Sequence, residues 1–358
     1  GNDKAFQLAE KLTNFTPKGF GHCFFTNSGS ESVDTALKIA LAYQRLQGHE
    51  NRTRLIGRHR GYHGVNFGGI SVGGIPPNRK MFTSNLINGV DHISHTHNLS
   101  EAAYSRGQPE WGGHLAEELE VLIAPQDENS IAAVIVEPVA GATGILPPPL
   151  GYLERLREIC TKHGILLIFD EVITGFGRVG ASFAAERFDV IPDIITCAKG
   201  LTNGVIPMGA VLIKDEIYST FMTGPEQMPE LFHGYTYSGH PVAAAAGIAA
   251  LEVYEEEGSF QQARELEEMF ADEAHQFDDH PRVIDVRNFG LMAAVELEPR
   301  DNAPGTRGLE VHKRLFWDEN LVIRNTMDIL QFCPFLNAKP EDIRSMFGAV
   351  KRVLDTLE

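Results

Sequence analysis

Three short stretches place reactive side chains where apolar strands end. In "LLIFDEVITG", Asp170 follows the apolar run 166–169, and a carboxylate is costly to bury there unless a cation faces it. In "DIITCAKGLTNG", Lys199 closes a second apolar run, where desolvation lowers an amine's pKa, as a Schiff-base nucleophile requires. In "FFTNSGSES", a Ser-Gly-Ser turn separates a strand from a helix. The amides of Gly29 and Ser30 would then face outward from a helix N-terminus, where a phosphate is favoured. Each stretch also has a plainer reading. Ser30 is a good N-cap, Lys199 could snorkel to the surface, and Asp170 could belong to a structural ion pair. A metal at Asp170 would want histidines or more carboxylates close by, and the segment offers only Glu171.

Together the three features match the needs of pyridoxal phosphate. The lysine would hold the aldehyde, the turn would cradle the phosphate, and the aspartate would keep the pyridine nitrogen protonated so that the ring withdraws electrons. The cation that Asp170 serves is, on this reading, the cofactor's pyridinium.

The elements that must position these groups alternate along the chain. Strand patterns at 22–27, 53–60, 131–138, 165–171, 193–199 and 208–214 are separated by helix patterns at 30–46, 115–123 and 151–164, the last closing at Gly164. Apolar runs without alternation predict parallel strands covered on both faces, hence an α/β fold with a largely parallel sheet. After a helix pattern at 240–257 the style changes. Two helices (259–278 and 308–319) interleave with the short strands "VIDVRNFG", "AAVELE", "LVIRN" and "ILQFC", and a helix begins near Pro340. This predicts a large domain over 1–259 and a smaller α+β domain over 260–358. The stretch 61–114 is glycine-rich and reads as a long functional loop.

The 358 residues suffice for a large and a small domain. With 31 Lys and Arg against 48 Asp and Glu the net charge is −17, which argues against nucleic acid or anionic membranes as partners. Cys23, Cys160, Cys197 and Cys333 show no metal spacing and read as reduced, buried thiols. No signal peptide is visible, and the most apolar stretch, 241–250, is shorter than the roughly 20 residues of a membrane span. The expectation is a cytoplasmic protein. The sequence opens inside a helical pattern without Met, so residues preceding Gly1 are expected.

The motifs "NSGSESVDTALKIA", "RGYHG", "VEPVAG", "FDEVITGFGRVG", "AKGLTNGVIPMGA" and "HGYTYSGHPVAAAAG" resemble the class III aminotransferases of pyridoxal phosphate fold type I. The similarity is greatest to ω-amino acid–pyruvate (β-alanine–pyruvate) aminotransferases. By that resemblance Lys199 is the Schiff-base lysine, Asp170 the partner of the pyridine nitrogen, and Gly29 and Ser30 the phosphate binders. The resemblance also implies that Tyr62 stacks on the cofactor ring, that Val172 packs on its other face, and that Glu137 lies near the ring oxygen. Thr236 would reach the phosphate of a neighbouring subunit, which implies a homodimer or a dimer of dimers. Arg324, in "LVIRNTMDILQFCP", matches the position that binds substrate carboxylate, a task that suits a planar guanidinium. Members carry a further N-terminal segment whose pocket residues are not readable in this sequence. His59, His63 and the run "DHISHTHN" have no metal spacing and read as strand and loop histidines.

The expected activity is ping-pong transamination through Lys199, from an ω-amino acid such as β-alanine, or an amine, to pyruvate. Alanine and an aldehyde or ketone are the products. An aminomutase or a decarboxylase on the same fold is the alternative within the cofactor class. A non-catalytic phospholigand-binding protein is the alternative outside it.

Overall fold

The computed structural model describes residues 1–125, 129–225 and 231–357. A seven-stranded sheet runs through the larger part of the chain. Its strands are β1 (His22–Thr26), β2 (Arg54–Arg58), β3 (Val90–Ile93), β4 (Ile131–Val136), β5 (Leu166–Asp170), β6 (Ile194–Cys197) and β7 (Gly209–Ile213). Their spatial order is β1-β7-β6-β5-β4-β2-β3. From β3 to β6 neighbouring strands are parallel, and β7 runs antiparallel to both β6 and β1.

Every residue of β4, β5 and β7 is buried, because helices cover both faces of the sheet. On one face Val33, Ala36, Leu37 and Ala40 of the helix Gly29–Leu46 pack with Ile168, Ile194 and Val211. On the other, Leu153, Leu156 and Ile159 of the helix Tyr152–His163 join Val134, Leu167 and Phe169. That helix stops at Gly164, whose φ of 62° is the left-handed turn at which helices commonly end.

Three expectations are corrected here. β7 is antiparallel, although its apolar run reads like those of its parallel neighbours; eleven residues with a single 3₁₀ turn, Lys199–Thr202, join it to β6, too little for a parallel crossover. The stretch 61–114 is not structureless, since it holds β3 and the short helices Phe67–Val72, Pro76–Lys80 and Leu99–Ala102. The helix expected at 115–123 is a 3₁₀ turn, Gly113–Glu117, running into the helix Glu118–Ile123.

A second sheet, antiparallel throughout, is formed by β8 (Val283–Phe289), β9 (Met292–Leu297), β10 (Arg324–Thr326) and β11 (Ile329–Phe332) in the order β10-β11-β9-β8. Helices Ser259–His275, Thr306–Asp318 and Pro340–Leu354 close an apolar cluster with it that runs from Ala263 to Leu357, distinct from the clusters beneath the large sheet. Among the described residues no helix is long and apolar enough to cross a membrane.

Gly57 in β2 lets the helix Phe67–Val72 lie against the strand, because a Cβ there would stand 1.8 Å from the Val72 carbonyl oxygen. Gly57→Ala is therefore expected to destabilise the protein by at least about 1–3 kcal/mol, the usual cost of overpacking. The urea midpoint reads this directly, and an unchanged midpoint would contradict the close approach.

Candidate active site

The loops leaving β1, β2, β4, β5 and β6 meet outside the carboxyl ends of these strands, where open α/β sheets hold ligands. They enclose a cavity of about 200 Å³. After β1 come Ser28, Gly29 and Ser30; after β2, Tyr62, His63 and Gly64; after β4, Glu137. Asp170 and Val172 come from β5 and its exit, and Lys199 follows β6.

The turn after β1 differs in one respect from the sequence reading. Ser28, and not Ser30, caps the helix, its Oγ accepting from the Glu31 amide at 3.2 Å. Ser30 instead accepts a hydrogen bond from the Val65 amide through its Oγ at 3.1 Å. The helix begins at Gly29, so the amides of Gly29 and Ser30 belong to its unpaired first turn. A Cβ on Gly29 would lie 3.0 Å from both γ-methyls of Val172, and one on Gly64 would fall 2.5 Å from Ser30 Oγ. The glycines keep the cradle open.

Asp170 is held by three donors. His63 Nδ1 is 2.8 Å from Oδ2, while Thr196 Oγ1 and the Val172 amide each donate to Oδ1 at 3.2 Å. His63 had no role in the sequence reading; it is the residue that reading missed. Its one signal was adjacency to Tyr62 in "RGYHG". Glu171 turns away from the cavity and accepts from Thr174 Oγ1 and from the amides of Ala184 and Ala185. Burial pushes its carboxyl up to about 7 even so.

Glu137 ties two loops together, accepting from the Tyr62 amide through Oε1 and from the Gly141 amide through Oε2, both at 2.9 Å. Burial raises its carboxyl pKa, and those amides only partly oppose the rise. Lys199 has φ of 39°, in the left-handed region that is uncommon for a non-glycine residue. Burial holds its amine below the usual lysine range, Arg324 adds to that effect, and the Asp170 and Glu137 carboxylates oppose it.

Two expected residues lie outside the cavity lining. Thr236 sits in an exposed turn at 236–239. The segment before it is pinned to the helix Gly29–Leu46, with His233 Nε2 at 2.9 Å and the Tyr235 hydroxyl at 3.2 Å from Thr35 Oγ1. Arg324 is exposed on β10 at the rim of a groove that also holds Gln331, Cys333 and Phe335. Thr326 Oγ1 donates to the Ala142 carbonyl at 3.0 Å, which ties β10 to the loop after Glu137. The four cysteines are unpaired; Cys160 and Cys197 are buried, but Cys23 is half-buried and Cys333 exposed, against the expectation that all four are buried. His97 comes within 4.8 Å of Asp285 and Glu296, but the guanidinium of Arg287 already pairs with both carboxylates.

The donor set fits pyridoxal phosphate. An amine at a strand end, a carboxylate presented by neighbouring hydrogen-bond donors, and a helix N-terminus kept open by glycine face one cavity.

The profile of the family described as "Aminotransferase class-III" matches residues 1–354. The chain is 58% identical over 358 residues to the omega-aminotransferase of Caulobacter vibrioides, covering 100% of this chain and 81% of that protein. It is 50% identical over 360 residues to the omega-amino acid–pyruvate aminotransferase of Pseudomonas putida, covering 100% of this chain and 80% of that one. The beta-alanine–pyruvate aminotransferase of Pseudomonas aeruginosa is 50% identical over 358 residues, with 99% and 79% covered. Among solved structures, the omega transaminase of Pseudomonas jessenii in complex with PMP superposes with a TM-score of 0.93 at 33% identity, covering 99% of this chain and 79% of that one. A structure titled "Transaminase with L-ala" also gives 0.93, at 34% identity, with 99% and 85% covered. With its motifs, sheet order and donor set in agreement, the chain belongs to the class III aminotransferases and is a pyridoxal phosphate-dependent transaminase of fold type I.

Proposed function

We propose that this enzyme moves the amino group of an ω-amino acid, β-alanine foremost, to pyruvate, giving alanine and an aldehyde. The observation that carries the chemistry is the placement of the Lys199 amine and the Asp170 carboxylate on one cavity with the open helix N-terminus. The substrates are inferred from the relatives named for omega-amino acids, beta-alanine and pyruvate. Incubation with pyruvate and a donor panel tests this reading: β-alanine should give alanine, and no alanine from any donor would reject it.

When bound, pyridoxal phosphate supplies an electron sink for charge developing at the donor carbon. Lys199 would hold the cofactor, and its amine, kept below the usual lysine range by burial, would carry a proton between the donor carbon and cofactor C4′. Asp170 holds a proton at the ring nitrogen. Gly29 and Ser30 offer amides to the phosphate, Tyr62 and Val172 bound the ring, and Glu137 fixes the loop that carries Tyr62. The division into a large domain to residue 259 and a small domain from 260 is part of the same proposal, and the separate apolar clusters support it.

Pyruvate carries its carboxylate beside the reacting carbon, β-alanine one carbon farther, and a simple amine has none. A long, mobile cation serves the first two and swings aside for the third, and Arg324, exposed on β10, is suited to this. Losing a charge-assisted pair in a partly dry site costs roughly 2–4 kcal/mol, about 30- to 1,000-fold in rate. Arg324→Ala should slow the pyruvate half-reaction by that order, yet change the half-reaction of a carboxylate-free amine by less than about tenfold. Single-turnover spectra follow each half-reaction alone, and equal losses would assign Arg324 to the fold or the cofactor.

Thr236, exposed on one chain, would complete the phosphate site of a second, so each site would need two chains. Mixing inactive Lys199→Ala with inactive Thr236→Glu should restore activity, since each hybrid dimer then contains one unmodified site. No recovery after subunit exchange, or full activity in a monomer, would refute the shared site.

A further inference from the structure

The loop leaving β5 reaches across to the second sheet. Its base carries Val172 and is braced where Glu171 accepts from the amides of Ala184 and Ala185. Its tip is a tight turn, in which the Phe176 amide donates to the Ser182 carbonyl at 2.7 Å and the Gly177 amide to the Ala181 carbonyl at 3.0 Å. Arg178, at this tip, donates from Nη1 to two carbonyl oxygens, Pro334 at 2.6 Å and Leu291 at 3.1 Å. The Leu291 amide donates back to the Arg178 carbonyl at 3.0 Å. Glycines let the turn seat this closely. A Cβ on Gly177 would stand 2.4 Å from Phe260 Cδ1, and one on Gly290 would stand 2.6 Å from the Arg178 carbonyl oxygen.

Pro334 follows β11, whose Gln331 lies opposite Arg324 on β10. Gln331 Nε2 donates to Thr326 Oγ1 at 2.7 Å, and Thr326 in turn donates to the Ala142 carbonyl. One leg of the β10–β11 hairpin is therefore held by the loop that follows Asp170, and the other by the loop that follows Glu137. We infer that Arg178 and Thr326 are positioning residues that set where Arg324 stands relative to the cavity, and so determine how well substrates bearing a carboxylate are held. Neither side chain lines the cavity of Asp170 and Lys199, so neither meets the reacting atoms there. Both bond to backbone carbonyls, which fixes the course of the main chain, and the bonds from Arg178 are charge-assisted. Misplacing a substrate-holding group by about 1 Å can cost on the order of 100-fold. The inference rests on the reading of Arg324 as the group that binds substrate carboxylate.

Single-turnover half-reactions separate this role from one that only stabilises the fold. Arg178→Met keeps the side chain's length without its donors, and Thr326→Val keeps the shape without the hydroxyl. In the pyruvate half-reaction the apparent affinity for pyruvate should fall about 10- to 100-fold in Arg178→Met and about 5- to 50-fold in Thr326→Val, with the limiting rate little changed. The half-reaction of a carboxylate-free amine should stay within about twofold in both variants, on the same argument. Each variant is read by itself, so one that fails to fold leaves the other to decide. Equal losses with pyruvate and the amine, or an unchanged affinity for pyruvate, would overturn the inference. Adding Arg178→Met to Arg324→Ala should cost pyruvate less than about threefold more, because the group being positioned is already gone, and a fully additive loss would overturn it. Arg324→Ala slowing the amine as much as pyruvate would instead remove the reading beneath. A selective Arg324→Ala beside unselective Arg178→Met and Thr326→Val would remove this inference alone.

Discussion

Lys199→Ala is expected to abolish transamination while leaving the fold intact. On the proposed reading the amine is both the covalent anchor and the proton carrier, so its loss removes two functions at once. General acid–base catalysis alone is worth roughly 10²–10⁴-fold, and losing the anchor adds to that. Neither loss should unfold the chain, because burial disfavours the charged amine and its φ of 39° is not a conformation that the lysine side chain stabilises. The measurement is turnover with β-alanine and pyruvate beside a far-ultraviolet dichroism spectrum. A variant keeping about a tenth of the unmodified rate, a loss of only about 1.4 kcal/mol in the barrier, would show that the nucleophile is misassigned.

Asp170→Asn should still bind the cofactor yet lose about 10²–10⁴-fold in rate, the equivalent of the roughly 3–5 kcal/mol at stake when one partner of a buried charge pair is removed. The amide keeps the size of the carboxylate, and its oxygen can still accept from Thr196 Oγ1 and the Val172 amide. What it cannot do is hold a proton at the ring nitrogen. Absorbance titration gives binding and stopped-flow spectra give the half-reactions. Tight binding with near-normal half-reactions would dismiss Asp170 as the source of the electron sink.

How far the site was legible depended on the kind of signal each residue left. Asp170 ends an unbroken apolar run and Lys199 a mostly apolar one, so their position at the ends of buried strands could be read from the sequence; the same holds for Glu137 after β4. His63 left no such signal. It lies in a glycine-rich loop whose course is set by backbone contacts at Gly69 and Gly74, where a Cβ would stand 2.2 Å and 2.3 Å from the carbonyl oxygens of His63 and Arg58. No periodicity encodes a path of that kind. β3 was hidden for another reason: its four residues read Val-Asp-His-Ile and only Ile93 is fully buried, so the apolar pattern is too short to register. The antiparallel direction of β7 was hidden because a fully buried run looks the same in either direction. Tyr62, Thr236 and Arg324 were legible only through resemblance, since nothing in their local sequence separates them from ordinary loop or strand residues.

The fate of the amino nitrogen tests the central claim most directly. The enzyme is incubated with β-alanine labelled with both nitrogen-15 and carbon-13 and with unlabelled pyruvate, and the products are followed by NMR. Transamination predicts that nitrogen-15 passes entirely into alanine built on unlabelled carbon, while the carbon-13 appears mole for mole in 3-oxopropanoate. Nitrogen-15 and carbon-13 found together in alanine would make the enzyme a mutase, and the two found together in ethylamine, with carbon dioxide released, would make it a decarboxylase. Either result would contradict the account.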